Sequence, residues 1–132
     1  MNQKRILYHG KKKGILVVDD AQFVRNRIKK VIDKIDFAEV VGEASNGIEA
    51  ISLYKKLRPD LVTMDLIMPN ADGIKAIEEI MKIDKKANIV VISAMGQELT
   101  IMEATEKGAK DYIKKPFKEE DIYRTIERFL KA

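Results

Sequence analysis

The stretch GILVVDDAQF, residues 14–23, decides how this chain is read. Four apolar residues, Ile15, Leu16, Val17 and Val18, run straight into two adjacent carboxylates, Asp19 and Asp20. The apolar run has the look of a strand buried on both faces. Two like charges at the end of such a strand repel each other and are costly to desolvate. A positive partner is therefore expected beside them.

Working outward, four more strand-like runs follow the first (15–19), at residues 38–44, 60–65, 88–93 and 111–115. Helical patterns separate them. Val24, Ile28, Val31 and Ile35 recur at the spacing of an amphipathic helix. Ile48, Ile51, Tyr54 and Leu57 form a second stripe behind a capping Asn46, and Ile74, Ile77 and Met81 a third. A fourth pattern runs from about Gln97 to Lys107 and stops at Gly108. The last carries Ile122, Ile126, Phe129 and Leu130. Strand and helix alternate five times, which predicts an α/β fold: a doubly wound, five-stranded parallel sheet with right-handed crossovers. The order expected is 2-1-3-4-5, the flavodoxin-like (βα)5 arrangement.

The 132 residues suffice for one domain with a real core. With 45% apolar residues the chain is not disordered, and without cysteine it has neither disulfides nor thiolate metal sites. No apolar run approaches the ~20 residues of a membrane span, and the N-terminus lacks a signal peptide's apolar stretch. A cytoplasmic protein without membrane insertion is expected. The net charge of +4 is misleading, because residues 1–13 hold five basic residues and no acid. Residues 14–132 carry a net charge of −1. The chain thus divides into a basic, flexible leader (1–13) and one domain (14–132), and direct nucleic-acid binding is not expected. His9, the only histidine, lies in the leader and is read as a bystander.

In a sheet of this order, ligands bind beyond the carboxyl ends of the strands, where the strand order reverses. Asp19 and Asp20 close the first strand and Asp65 the third, so the three carboxylates should converge. Clustered oxygens without His or Cys suit a hard divalent cation, Mg²⁺ above all. Ser93 closes the fourth strand and offers a hydroxyl; Lys115 closes the fifth and offers an ammonium. A divalent ion, a hydroxyl and a cation around one carboxylate make a site for a phosphoryl group, with the carboxylate as nucleophile. Singly, each residue has a blander reading: the acidic pair as a helix cap, Ser93 as a turn residue, Lys115 as a solvated strand end. Together the bland readings need five coincidences at strand ends.

The set VVDD, TMDLIMPNADG, VISA and AKDYIKKPF, in this order, resembles the receiver domain of two-component response regulators across residues 14–131. The resemblance implies that Asp65 accepts a phosphoryl group from a histidine kinase. Asp20 and Asp65 would bind Mg²⁺ directly, Asp19 through water, and the backbone carbonyl of Ile67 would add a ligand. Ser93 and Lys115 would hold the phosphoryl oxygens, small Ala94 would leave them room, and Lys115–Pro116 would be cis. The resemblance also implies a switch, in which the Ser93 hydroxyl moves toward the phosphoryl group and Tyr112 rotates inward. The face it alters would include Lys107, Lys114, Lys118 and Tyr123.

SAMGQE, after the fourth strand, resembles chemotaxis response regulators, which implies a messenger to the flagellar motor switch. The chain leaves no length for an effector domain after the fifth helix, so transcription control by direct contact is not expected. The alternative is a phosphorelay intermediate that hands phosphate to a histidine phosphotransfer protein. A haloacid-dehalogenase-like phosphatase would need a D-x-D motif where Asp19 and Asp20 are adjacent. An FMN binder would need a Ser/Thr/Gly-rich loop in place of DDAQF, and a pure dimerisation module should have lost active-site residues. By the same resemblance, Ile67 and Met95 sit where side chains influence phosphate loss. Both are apolar, so slow autodephosphorylation, reset by an external phosphatase, is expected. The protein is expected to be a monomer and not an enzyme in its own right.

Overall fold

The computed structural model describes residues 11–68, 73–94 and 97–131. His9, Pro69, Met95 and most of the leader lie outside the described residues. Five strands alternate with five helices: β1 (Lys13–Val18), α1 (Gln22–Asp33), β2 (Ala38–Ala44), α2 (Gly47–Leu57), β3 (Leu61–Asp65), α3 (Gly73–Ile83), β4 (Ile89–Ala94), α4 (Glu98–Lys107), β5 (Asp111–Lys115) and α5 (Glu119–Leu130). All strand pairs are parallel and the order is 2-1-3-4-5, as the alternation predicts.

Alternate side chains of the central strands feed two cores. Leu16, Val62, Met64, Ile89 and Val91 pack under α2, α3 and α4, with Ala50, Tyr54, Ile77, Ile80 and Ala104. Ile15, Val17, Leu61, Val90 and Ile92 pack under α1 and α5, with Ile28, Ile32, Ile122 and Ile126. Strands buried on both faces are mostly apolar. β1, β3 and β4 are so along their middles, with Thr63, Asp65 and Ser93 as buried polar exceptions, while the edge strands β2 and β5 mix buried and exposed positions.

The second helical stripe differs from expectation at one residue. Ile48 is exposed, and α2 turns Gly47, Ala50 and Tyr54 to the core, with Ile51 and Leu53 partly buried. Small residues let the helix approach the sheet closely, and at 100° per residue this turns Ile48 outward. Helix ends follow local chemistry. The Asn46 side chain accepts from the Glu49 N–H at 2.9 Å. Gly108 closes α4 at φ +130°, a conformation L side chains rarely adopt. No helix among the described residues is long and apolar enough to cross a membrane.

Candidate functional site

Because β1 and β3 are neighbours, with Val18 opposite Met64, their next residues Asp19 and Asp65 end side by side. Both are buried, Asp20 beside them is exposed, and one oxygen from each of the three lies within 4.8 Å of the others. The positive partner is Lys115 of β5. Its Nζ stands 2.9 Å from Asp19 Oδ2 and 3.8 Å from Asp65 Oδ2, spanning the sheet from its far edge. The Lys115–Pro116 bond that precedes α5 is cis.

Lys115 reaches two of the three carboxylates, and the imbalance falls on Asp65. Burial first, then the Asp19 charge, push its carboxyl up to about 6, while Lys115 and the Ile67 N–H pull it down. That Ile67 N–H is 3.4 Å from Asp65 Oδ1, a long contact, and the Ile67 side chain is exposed. Asp19 serves two partners at once: Oδ2 takes Lys115, and Oδ1 accepts from the Ala21 N–H at 2.9 Å. The second bond pins the turn into α1, whose cap residue Ala21 has no capping side chain. So the acidic pair is not the helix cap its local sequence resembles.

Ser93 is fully buried, and among the described residues its hydroxyl has no hydrogen-bond partner. An unpaired buried hydroxyl is costly and invites a partner that arrives. Ala94 ends β4 with an exposed methyl, and its N–H donates to Gln97 Oε1 at 3.0 Å. The donor set, oxygen only, anionic and open to solvent at Asp20, fits a hard cation that keeps water ligands.

The residues expected on the switching face do not all meet. Tyr112 is exposed and lines a groove with Lys114 and with Ile101, Met102 and Glu106 of α4. Lys107 is tied to Glu78 of α3 at 2.8 Å. Lys118 precedes α5, its N–H bonded to Asp121 Oδ2. Tyr123 turns to a different groove, between α1 and α5, with Val31, Lys34 and Glu119.

Two contacts escaped the sequence reading. Gln97 is one. The other is Arg25, whose Nη1 donates to the Asp19 carbonyl at 2.6 Å while its Nε pairs with Glu43 at 3.0 Å. One basic residue among the four of α1 carries no local signal of such a bond.

Fold and site together define a doubly wound α/β protein with an acidic, lysine-bridged pocket at its topological switch point. Residues 15–127 match the response regulator receiver domain, and the chain belongs to that family. The chemotaxis protein CheY of Thermotoga maritima is 50% identical over 119 residues, 90% of this chain and 98% of that protein. CheY of Bacillus subtilis is 49% identical over 116 residues, 88% of this chain and 96% of the relative. Among solved structures, the CheX–CheY–BeF3–Mg²⁺ complex of Borrelia burgdorferi superposes with a TM-score of 0.84. It shares 33% identity and covers 92% of each chain.

Proposed function

We propose that the chain is a phospho-accepting response regulator that carries a chemotaxis signal. Asp65 is the phosphoacceptor. One of its oxygens attacks the phosphorus of a kinase phosphohistidine, the P–N bond breaks, and the imidazole leaves with the electron pair. The reading is carried by one observation: three carboxylates and Lys115 meet at one end of the sheet, with Asp65 pushed up to about 6. Asp20 and Asp65 would hold Mg²⁺, Asp19 through water, and the Ile67 carbonyl would add a ligand. Bound there, the ion would supply positive charge to offset a phosphoryl dianion among carboxylates. Ser93 and Lys115 hold the phosphoryl oxygens, and Ala94 leaves them space.

The unpartnered Ser93 hydroxyl and the exposed Tyr112 support a resting state that phosphorylation shifts. Ser93 then bonds the phosphoryl group, Tyr112 turns inward, and the surfaces carrying Lys107, Lys114 and Lys118, with Tyr123 in its separate groove, change. The relatives named chemotaxis protein, matched over nearly their whole length, support the flagellar motor switch as the partner. A relative complexed with CheX supports a further protein partner, and an external phosphatase that resets the signal belongs to the same proposal. The reading places residues 14–132 as the receiver and 1–13 as a basic leader, in a cytoplasmic monomer that is not itself a turnover enzyme.

The test is a pull-down with phosphorylated protein, unphosphorylated protein and Asp65→Asn. Capture of the motor switch protein by the phosphorylated form alone is expected. Transfer of the phosphoryl group to a histidine phosphotransfer protein, without motor binding, would replace the messenger by a relay.

A further inference from the structure

Arg25 has no part in the roles above, yet it is fastened to the pocket's backbone. Its side chain is only 12% exposed, and its planar fork makes three bonds from three nitrogens. Nη1 donates to the Asp19 carbonyl at 2.6 Å, Nε to Glu43 Oε1 at 3.0 Å and Nη2 to Gln22 Oε1 at 2.7 Å. Glu43, on β2, is braced in turn by Lys29 at 2.8 Å. The Lys29 hydrogen bond, with Arg25's behind it, outweighs burial and holds the Glu43 carboxyl below its ordinary value.

Asp20 is the exposed carboxylate of the three, and its aim depends on the two peptide planes that flank it. The plane after it is fixed by the Ala21 N–H bond to Asp19 Oδ1. The plane before it carries the Asp19 carbonyl, which Arg25 holds. We propose that Arg25, braced by Glu43, is a positioning residue that fixes the Asp19–Asp20 peptide and so aims Asp20 into the acidic pocket. The affinity of the pocket for Mg²⁺ then depends on a side chain that never touches the ion. This inference rests on the Mg²⁺-binding reading of the pocket.

Charge alone gives the opposite sign. Removing a cation beside an acidic pocket should tighten cation binding, whereas losing the positioning bond should weaken it. Arg25→Lys keeps the charge but cannot reproduce a three-way planar fork. Mg²⁺ is titrated calorimetrically into wild type, Arg25→Ala, Arg25→Lys, Glu43→Gln and Asp20→Asn. Arg25→Ala is expected to bind roughly tenfold more weakly, the usual scale for groups that orient metal ligands. Arg25→Lys and Glu43→Gln should fall between it and wild type. In acetyl phosphate labelling, the Mg²⁺ concentration for half-maximal rate should rise while the rate at saturating Mg²⁺ stays near wild type. Mere destabilisation would lower the melting temperature without that split.

Unchanged or tighter Mg²⁺ binding in Arg25→Ala, or full affinity in Arg25→Lys, overturns the inference. If Arg25→Ala does not fold, Arg25→Lys and Glu43→Gln carry the test by the same criterion. Failure of the underlying reading looks different: wild type itself binds no Mg²⁺, and the Arg25 inference falls with it.

Discussion

At Asp65 burial and the neighbouring Asp19 charge act together, and its proton gives a signed test. Its carboxyl is raised to about 6 from an ordinary 3.8. The folded state therefore holds a proton that the unfolded chain has already lost between about pH 4 and 6. That ionisation cost is absent at low pH and fully present once pH rises above 6. With solvent screening at the open pocket allowed for, Asp65→Asn should stabilise the chelated protein by on the order of 1–2 kcal/mol at pH 7.5. The gap should narrow at pH 5. Urea unfolding at both values checks this, and a gap that widened at pH 5 would reverse the sign. Asp19, Asp20, Asp65 and Lys115 were legible because each sits at a strand end, where sequence alone assigns a side of the molecule. Arg25 was not, since its partner Glu43 lies 18 residues away and on another element.

At the scale of elements, α3 starts hard against the backbone that follows the acidic strand. The Gly73 N–H donates to the Leu66 carbonyl at 3.0 Å. A Cβ there would lie 2.8 Å from Leu66 Cα and press on the Asp65 carbonyl oxygen. Backbone cannot give way as a flexible side chain can, so Gly73→Ala should cost about 1–3 kcal/mol. It should also weaken Mg²⁺ binding by displacing Asp65, which calorimetry would read. Far from the pocket, Tyr54 of α2 donates its hydroxyl to Asp84, just beyond α3, at 3.1 Å. Burial first, then Asp84, push this phenol up to about 12. Tyr54→Phe should cost about 1 kcal/mol in urea unfolding and leave Mg²⁺ binding unchanged. Strand positions could be read from sequence because runs buried on both faces tolerate little but apolar residues. Ile48 was misplaced because a hydrophobic stripe does not reveal that Gly47 and Ala50 let the helix settle closer to the sheet.

On the whole-molecule scale, the pocket joins parts of the fold that sequence keeps far apart. Asp19 follows β1 and Lys115 closes β5, 96 residues later, with β3 and β4 between the two strands. Ligand binding here should stabilise the entire domain: at one hundred times its Kd, Mg²⁺ adds about 2.7 kcal/mol. Thermal unfolding with Mg²⁺ and with chelator should show this shift, and Asp20→Asn should abolish it. The most direct measurement is intact mass after incubation with Mg²⁺ and acetyl phosphate, for wild type and Asp65→Asn side by side. Wild type should gain one phosphoryl group, lost on chelation and in Asp65→Asn, and the adduct should decay slowly once the donor is removed. An adduct that survives Asp65→Asn, or wild type that neither gains mass nor binds Mg²⁺, would contradict phosphoryl transfer to Asp65.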